Sequence, residues 1–177
     1  NASRNPRWAS GSGYNDYRNN VIYNCGYQSS YSGENYADED HTFSVINMVA
    51  NYYKPGPATK TDRTNYRIVQ PSYRNAKTDY GKWYVADKFI AGHPTVTADN
   101  WDRGVQPDGG SDDIQYVKMT EPWYSMAIHQ QSPQDAYNSV LDKVGCSFPK
   151  RDTVDKRIIK ETTTGTTTFG DNGILTY

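Results

Sequence analysis

Two arginines near the start of the chain flank an Asn-Pro pair in the run Arg4-Asn5-Pro6-Arg7. A guanidinium is a planar fork of donors that matches a carboxylate, so two of them on a proline-held turn make a local grip for an anion. The net charge of the whole chain is -1. No overall field therefore draws in a polyanion, and an anionic substrate must be held by a cluster of this kind. Nucleic-acid binding lacks its usual basic footprint. The bland alternative for Arg4 and Arg7 is a pair of solvated surface cations.

Other chemistry finds less support in the residue types. His41, His93 and His129 are scattered without ligand spacing. No Gly-x-Ser-x-Gly occurs and Cys25 has no evident base, which argues against acyl transfer. Asp38-Glu39-Asp40 could supply the two carboxylates of a glycoside hydrolase, but sequence cannot set their separation. The acidic run Asp108-Gly109-Gly110-Ser111-Asp112-Asp113 lacks the spacing of an EF-hand loop and reads as a solvated turn. Cys25 and Cys146 fit one disulfide or two thiols and are too few for a structural zinc.

The elements that must position the arginines are β-rich. Only 35% of the 177 residues are hydrophobic, and mean hydropathy is -0.92, yet there are 16 Tyr and 4 Trp. Aromatics at that density argue against disorder and suit an extended polar surface that stacks on sugar rings; filling the outer faces of strands is the plainer use. No stretch approaches a membrane span. Short β-rich runs recur at Tyr17–Asn24, Phe43–Tyr53, Tyr66–Val69 and Lys82–Ile90, punctuated by Gly, Pro, Asn and Asp. No helical period appears in this half. Irregular loops between short strands are what a parallel β-solenoid produces, with in-register asparagines laddering between circuits. Residues 95–131 read as an irregular excursion. Ser132-Pro133-Gln134-Asp135 is an N-cap signal, and Tyr137, Val140, Leu141 and Val144 follow at helical spacing up to Gly145, predicting a helix over Pro133–Val144. Asp152-Thr153-Val154-Asp155 opens a second short helix carrying Ile158 and Ile159. Thr162–Thr168 and the residues after it read as an extended polar tail.

Arg4-x-Pro6-Arg7, followed by Asp16–Asn24, resembles the catalytic-arginine segment of the family 1 polysaccharide lyases, the pectate lyases. Asn20–Tyr27, Asn51–Thr59 and Trp83–Asp87 resemble successive coils of bacterial pectate-lyase-like proteins. Val144–Asp152, with Asp155 and Arg157-Ile158-Ile159, resembles their C-terminal segment. The matches run in order over nearly the whole chain.

The resemblance implies an all-β fold, a right-handed parallel β-helix with C-terminal capping helices, divided into coils over 1–131 and a helical cap with tail over 132–177. It implies calcium-dependent β-elimination on polygalacturonate, with Arg4 as the base. A guanidinium is normally locked in its charged form and reaches its neutral form only where neighbouring cations favour it. Arg7 would grip a uronate carboxylate, with Arg18 as a further substrate-binding cation; Lys54, one coil beyond, reads either as another substrate-binding cation or as an exposed turn lysine. Many family members carry another arginine where this chain has Ala9. The calcium-binding acids lie upstream in the family, so no metal ligand is assigned here. The chain is expected to begin partway through an enzyme, with a missing N-terminal half or a partner chain covering the cut face of the β-helix. A secreted, periplasmic or cell-surface location follows from the polysaccharide substrate. The competing readings are a non-catalytic carbohydrate-binding solenoid and a pectin-degrading glycoside hydrolase.

Overall fold

The computed structural model describes residues 3–36 and 43–168. Nine short strands dominate: β1 (Arg7–Trp8), β2 (Gly13–Arg18), β3 (Val21–Tyr23), β4 (Ser30–Ser32), β5 (Ser44–Val49), β6 (Tyr52–Lys54), β7 (Val69–Pro71), β8 (Lys82–Ala86) and β9 (Phe89–Ile90). They form three sheets, ordered β1-β4-β7, β2-β5-β8 and β3-β6-β9, and every pairing is parallel. The chain thus visits sheets one, two and three in turn and completes that circuit three times among the described residues. The runs Tyr17–Asn24, Phe43–Tyr53 and Lys82–Ile90, single in the sequence, each hold parts of two strands that meet at a corner, whereas Tyr66–Val69 holds only the start of β7. The corner residues Asn19, Ala50 and Asp87 all lie in the left-handed region, at φ of +54°, +52° and +57°, and occupy equivalent places in successive circuits.

Side chains alternate across each strand, and one face of every sheet points to a shared core. Ile46 and Trp83 are in register, as are Met48 and Val85, and Ile22, Tyr53 and Ile90 form a third inward row. Gly33, at φ +78°, leaves room for the Trp83 indole: a Cβ there would lie 2.6 Å from the ring. Beside the second corner a buried amide links circuits. Asn51 Oδ1 accepts from the backbone N–H and the Nδ2 of Asn20, at 2.9 and 3.0 Å, while its own Nδ2 donates to Tyr17 O at 3.0 Å. The equivalent place in the third circuit holds Lys88, only 2% exposed, with Nζ donating to Ala86 O.

The helices depart from expectation. The stretch read as an irregular excursion contains two short helices, α1 (Pro94–Ala98) and α2 (Ile114–Val117). It covers the last circuit: Val96, Val105 and Val117 join the core, and Val105 and Lys118 make parallel bridges to Val69 and Trp83. The C-terminal helices α3 (Pro133–Lys143) and α4 (Thr153–Thr164) do not cap that end. Instead α3 packs against β3 and β6, on the flank of the third sheet, where Tyr137 stacks on Tyr52 at 4.3 Å. One apolar stripe per helix suits a flank; the end of the stack is closed by single valines. Ser132 and Asp152 cap α3 and α4 as read from the sequence, but α4 continues to Thr164 and stops at Gly165, φ +73°. Thr162–Thr164 are therefore helical and not part of a tail.

Candidate functional site

Arg4 and Arg7 lie on the turn that enters β1 and on β1 itself, both exposed. The turn is fastened to the next circuit. Asn5 N–H donates to Ser29 O at 2.9 Å and Asn5 Nδ2 to Cys25 Sγ at 3.6 Å, while Pro6 O accepts from the Tyr31 N–H. Arg4 takes φ +66° at this point. Trp8 anchors the strand from within, its Nε1 donating to Ser30 Oγ at 2.6 Å. Alternation then sends Arg7 outward. Register continues the outward row through Tyr31 and Gln70, and Gln106 follows the bridge between Val69 and Val105. A cation, a phenol and two amides thus form a polar stripe along the outside of the first sheet.

The four cations expected to share a substrate are not brought together. Arg18 sits on the outer face of the second sheet, bound by Asp16 Oδ1 at 2.5 Å, by Gln130 and by Ser125. Lys54, on the third sheet, donates to Thr162 O and Thr163 O, both at 2.8 Å, and to the Tyr137 hydroxyl. Its ammonium holds the last carbonyls of α4, a position that the helix dipole favours. Arg4 and Arg7 are near one another along the chain, three residues apart.

Arg4 also lines a cleft of about 770 Å3 between the open side of the first circuit and the two C-terminal helices. Its walls include inward-facing Tyr17 and Ile22 and the helix residues Val140, Leu141 and Ile158. Burial pushes the Tyr17 phenol up to about 12. At the opposite rim of the first sheet, Glu34 is buried. Burial alone would raise its carboxyl, but hydroxyl donors from Ser10, Ser32 and Ser72, at 2.7, 2.8 and 3.0 Å, hold it below the usual range. One serine comes from each circuit.

Residues that the sequence left unassigned make a second feature. Tyr14, Phe43 and Trp123 pack edge-on or tilted, with ring centroids 4.9 and 5.1 Å apart, and Tyr124 beside them is 94% exposed. The Trp123 backbone is held on both sides by Asn47, whose amide donates to its carbonyl and accepts from its N–H. The signal for this cluster was the Tyr and Trp count, which carries no position. Asp38-Glu39-Asp40 and His41 fall outside the described residues. His93 precedes α1 with its ring 5.4 Å from that of Tyr66, and His129 is exposed. Asp113 departs from the solvated-turn reading: it is fully buried and accepts from Lys77 Nζ at 2.5 Å and from the Tyr80 hydroxyl at 3.0 Å. Neither cysteine forms a disulfide; Cys25 is buried and Cys146 exposed. Among the described residues no group of three or more acidic, His or Cys side chains could hold a metal, and no helix is long and apolar enough to cross a membrane.

The chain is 29% identical over 164 residues to a protein described as probable pectate lyase C from Aspergillus terreus, covering 91% of this chain. It spans 34% of that relative, about a third of its length. The relative is fungal, whereas the sequence motifs pointed to bacterial proteins. No family model matches the chain.

Proposed function

We propose that this chain is the catalytic-arginine portion of a pectate-lyase-like polysaccharide lyase built on a right-handed parallel β-helix, with residues 1–131 supplying coils and 132–177 the flanking helices and tail. The observation that carries the reading is the exposed Arg4–Arg7 turn at the rim of a stack of parallel circuits, in a chain whose sequence is 29% identical to a probable pectate lyase over 91% of this chain.

The reaction assigned to the site is β-elimination on polygalacturonate. A base takes the proton from C5, alpha to the uronate carboxylate. The electron pair forms the C4–C5 double bond, the C4–O bond breaks, and the departing oxygen takes up a proton. Arg4 is assigned the base, and the Arg7 fork holds the carboxylate as charge develops on it. Tyr31, Gln70 and Gln106 extend the polar stripe along which neighbouring sugars would lie. Arg18 and Lys54, bound to Asp16 and to α4, are assigned to the scaffold rather than to this substrate. The described residues do not fit a calcium site, so calcium belongs to residues outside them under this proposal and no step here passes through it. The large cleft beneath Arg4 supports a further part of the proposal, that an additional coil or a partner chain packs against the first circuit. Secretion or a cell-surface location follows from the substrate.

A carbohydrate-binding, non-catalytic role has its own support in the Tyr14, Phe43, Trp123 and Tyr124 cluster and in Ala9 at the place of a family arginine. One assay separates the readings. Incubation with polygalacturonate and calcium should release products with ultraviolet absorbance from the new double bond, faster at alkaline pH. Reducing ends without that absorbance would mean hydrolysis, and retention on pectate without products would mean binding alone.

A further inference from the structure

Four buried side-chain polar atoms lack a hydrogen-bond partner among the described residues: Ser29 Oγ, Tyr53 Oη, Asn65 Oδ1 and Trp83 Nε1. Such groups are rare, because each forfeits its hydration without recompense. Three of these four belong to residues lining one cavity of about 20 Å3, which Cys25 and Arg67 also border. Ser29 and Tyr53 are 2% and 5% exposed. Three orphaned groups around one small space are a coincidence that calls for a common partner. We propose that this cavity binds a single water molecule, held by Ser29, Tyr53 and Asn65, and that this water supports the turn carrying Arg4 and Arg7.

The size and the donor inventory select the ligand. A buried water needs roughly 10–15 Å3 of accessible space and makes about three hydrogen bonds. Asn65 Oδ1 only accepts, so one water proton goes to it. The two hydroxyls can each donate or accept, so the water gives its second proton to one and receives from the other. All three orphans are then satisfied. A cation is disfavoured, because the lining includes Arg67 and Lys54 and no carboxylate. An anion is disfavoured by the Asn65 carbonyl oxygen and by the volume. The position links the water to the site: Ser29 O accepts the Asn5 N–H, and Cys25 Sγ accepts from the Asn5 side chain.

Tyr53→Phe gives a test in which the sign decides. An orphaned hydroxyl burdens the fold, so its removal would raise Tm. A hydroxyl bound to water contributes, so its removal should lower Tm by about 2–4 °C. Magnetic relaxation dispersion should at the same time count one fewer long-lived water in the variant, and the Asn5 amide should exchange faster. A raised Tm or an unchanged water count would overturn the site. An unchanged Asn5 amide would overturn its link to the arginine turn. A crystal structure at high resolution provides a direct check: density for one water within hydrogen-bond distance of all three atoms supports the proposal, and a dry cavity overturns it.

Discussion

Replacing Asn51 by Leu should be among the most damaging single changes in the scaffold. The side chain has no solvent exposure, and it makes three hydrogen bonds, two accepted from Asn20 and one donated to Tyr17 O. Leucine fills a similar volume, so the change removes polar partners with little cavity. Each lost bond is worth about 1 kcal/mol net. The backbone N–H of Asn20 is also left without this partner beside the core, at a further cost of up to about 2 kcal/mol. The sum is about 3–5 kcal/mol. For a chain of this size that corresponds to a Tm lower by about 6–20 °C. Thermal and urea unfolding followed by near-ultraviolet circular dichroism suits the assay, since the aromatic side chains report core packing. Asn20→Ala and the double variant complete a cycle, with a coupling of about 1 kcal/mol expected for the shared amide bond. A loss below about 1 kcal/mol in Asn51→Leu at unchanged urea slope would refute the view that this amide fastens one circuit to the next.

Further outcomes follow from the charged groups. Glu34, held below its usual range by three serines, contributes stability that is present above the unfolded carboxyl value near 4.3 and is lost as pH falls through the folded value. Glu34→Gln should therefore lower Tm at neutral pH and flatten the loss between pH about 5 and the acid limit; an unchanged acid limb would remove the assignment. Lys88 has its ammonium disfavoured by burial, so wild-type stability should rise as pH climbs toward the unfolded lysine value near 10.4. Lys88→Met should raise Tm at pH 7 and abolish that rise, and a lower Tm would show that the ammonium contributes more than its burial costs. For the reaction, Arg4→Lys should nearly abolish turnover with little change in substrate affinity, whereas Arg7→Lys should raise KM more than it lowers kcat. Equal, mild effects would leave neither residue in the chemistry and favour the binding reading.

What the sequence displayed depended on how each element is specified. Helix α3 was legible because a cap, a proline, an acid and a left-handed stop agree within one short segment. The break inside Phe43–Tyr53 was hidden because its corner residue is Ala50, which advertises no positive φ. Strand β4 is Ser-Tyr-Ser, too short and too polar to show alternation. Helices α1 and α2 each bury a single valine, so no period could form. At the site, Arg4 and Arg7 were legible as neighbours along the chain. That Arg18 and Lys54 face other sheets was not, since one residue in a corner turns every following side chain to a new direction. The row from Arg7 to Gln106 is contributed one residue per circuit at unequal spacing, a pattern that only register reveals.

The segment after α2 has a consequence for how such a protein can change in length. It runs back over the second sheet, where Trp123 bonds to Asn15 and Asn47, Gln130 to Arg18 and Gln131 to Asn19, and beyond α4 the Tyr23 hydroxyl, on the third sheet, donates to Thr166 O. Stacked repeats usually gain or lose units freely, because each touches only its neighbours. Here a strap from beyond the last circuit is tied to the first. Every inserted circuit would separate its two anchor points by about 4.8 Å, and the strap would have to lengthen in step. The number of circuits beneath it is therefore fixed by the length of a loop, and the three circuits should unfold as one unit rather than fray from an end.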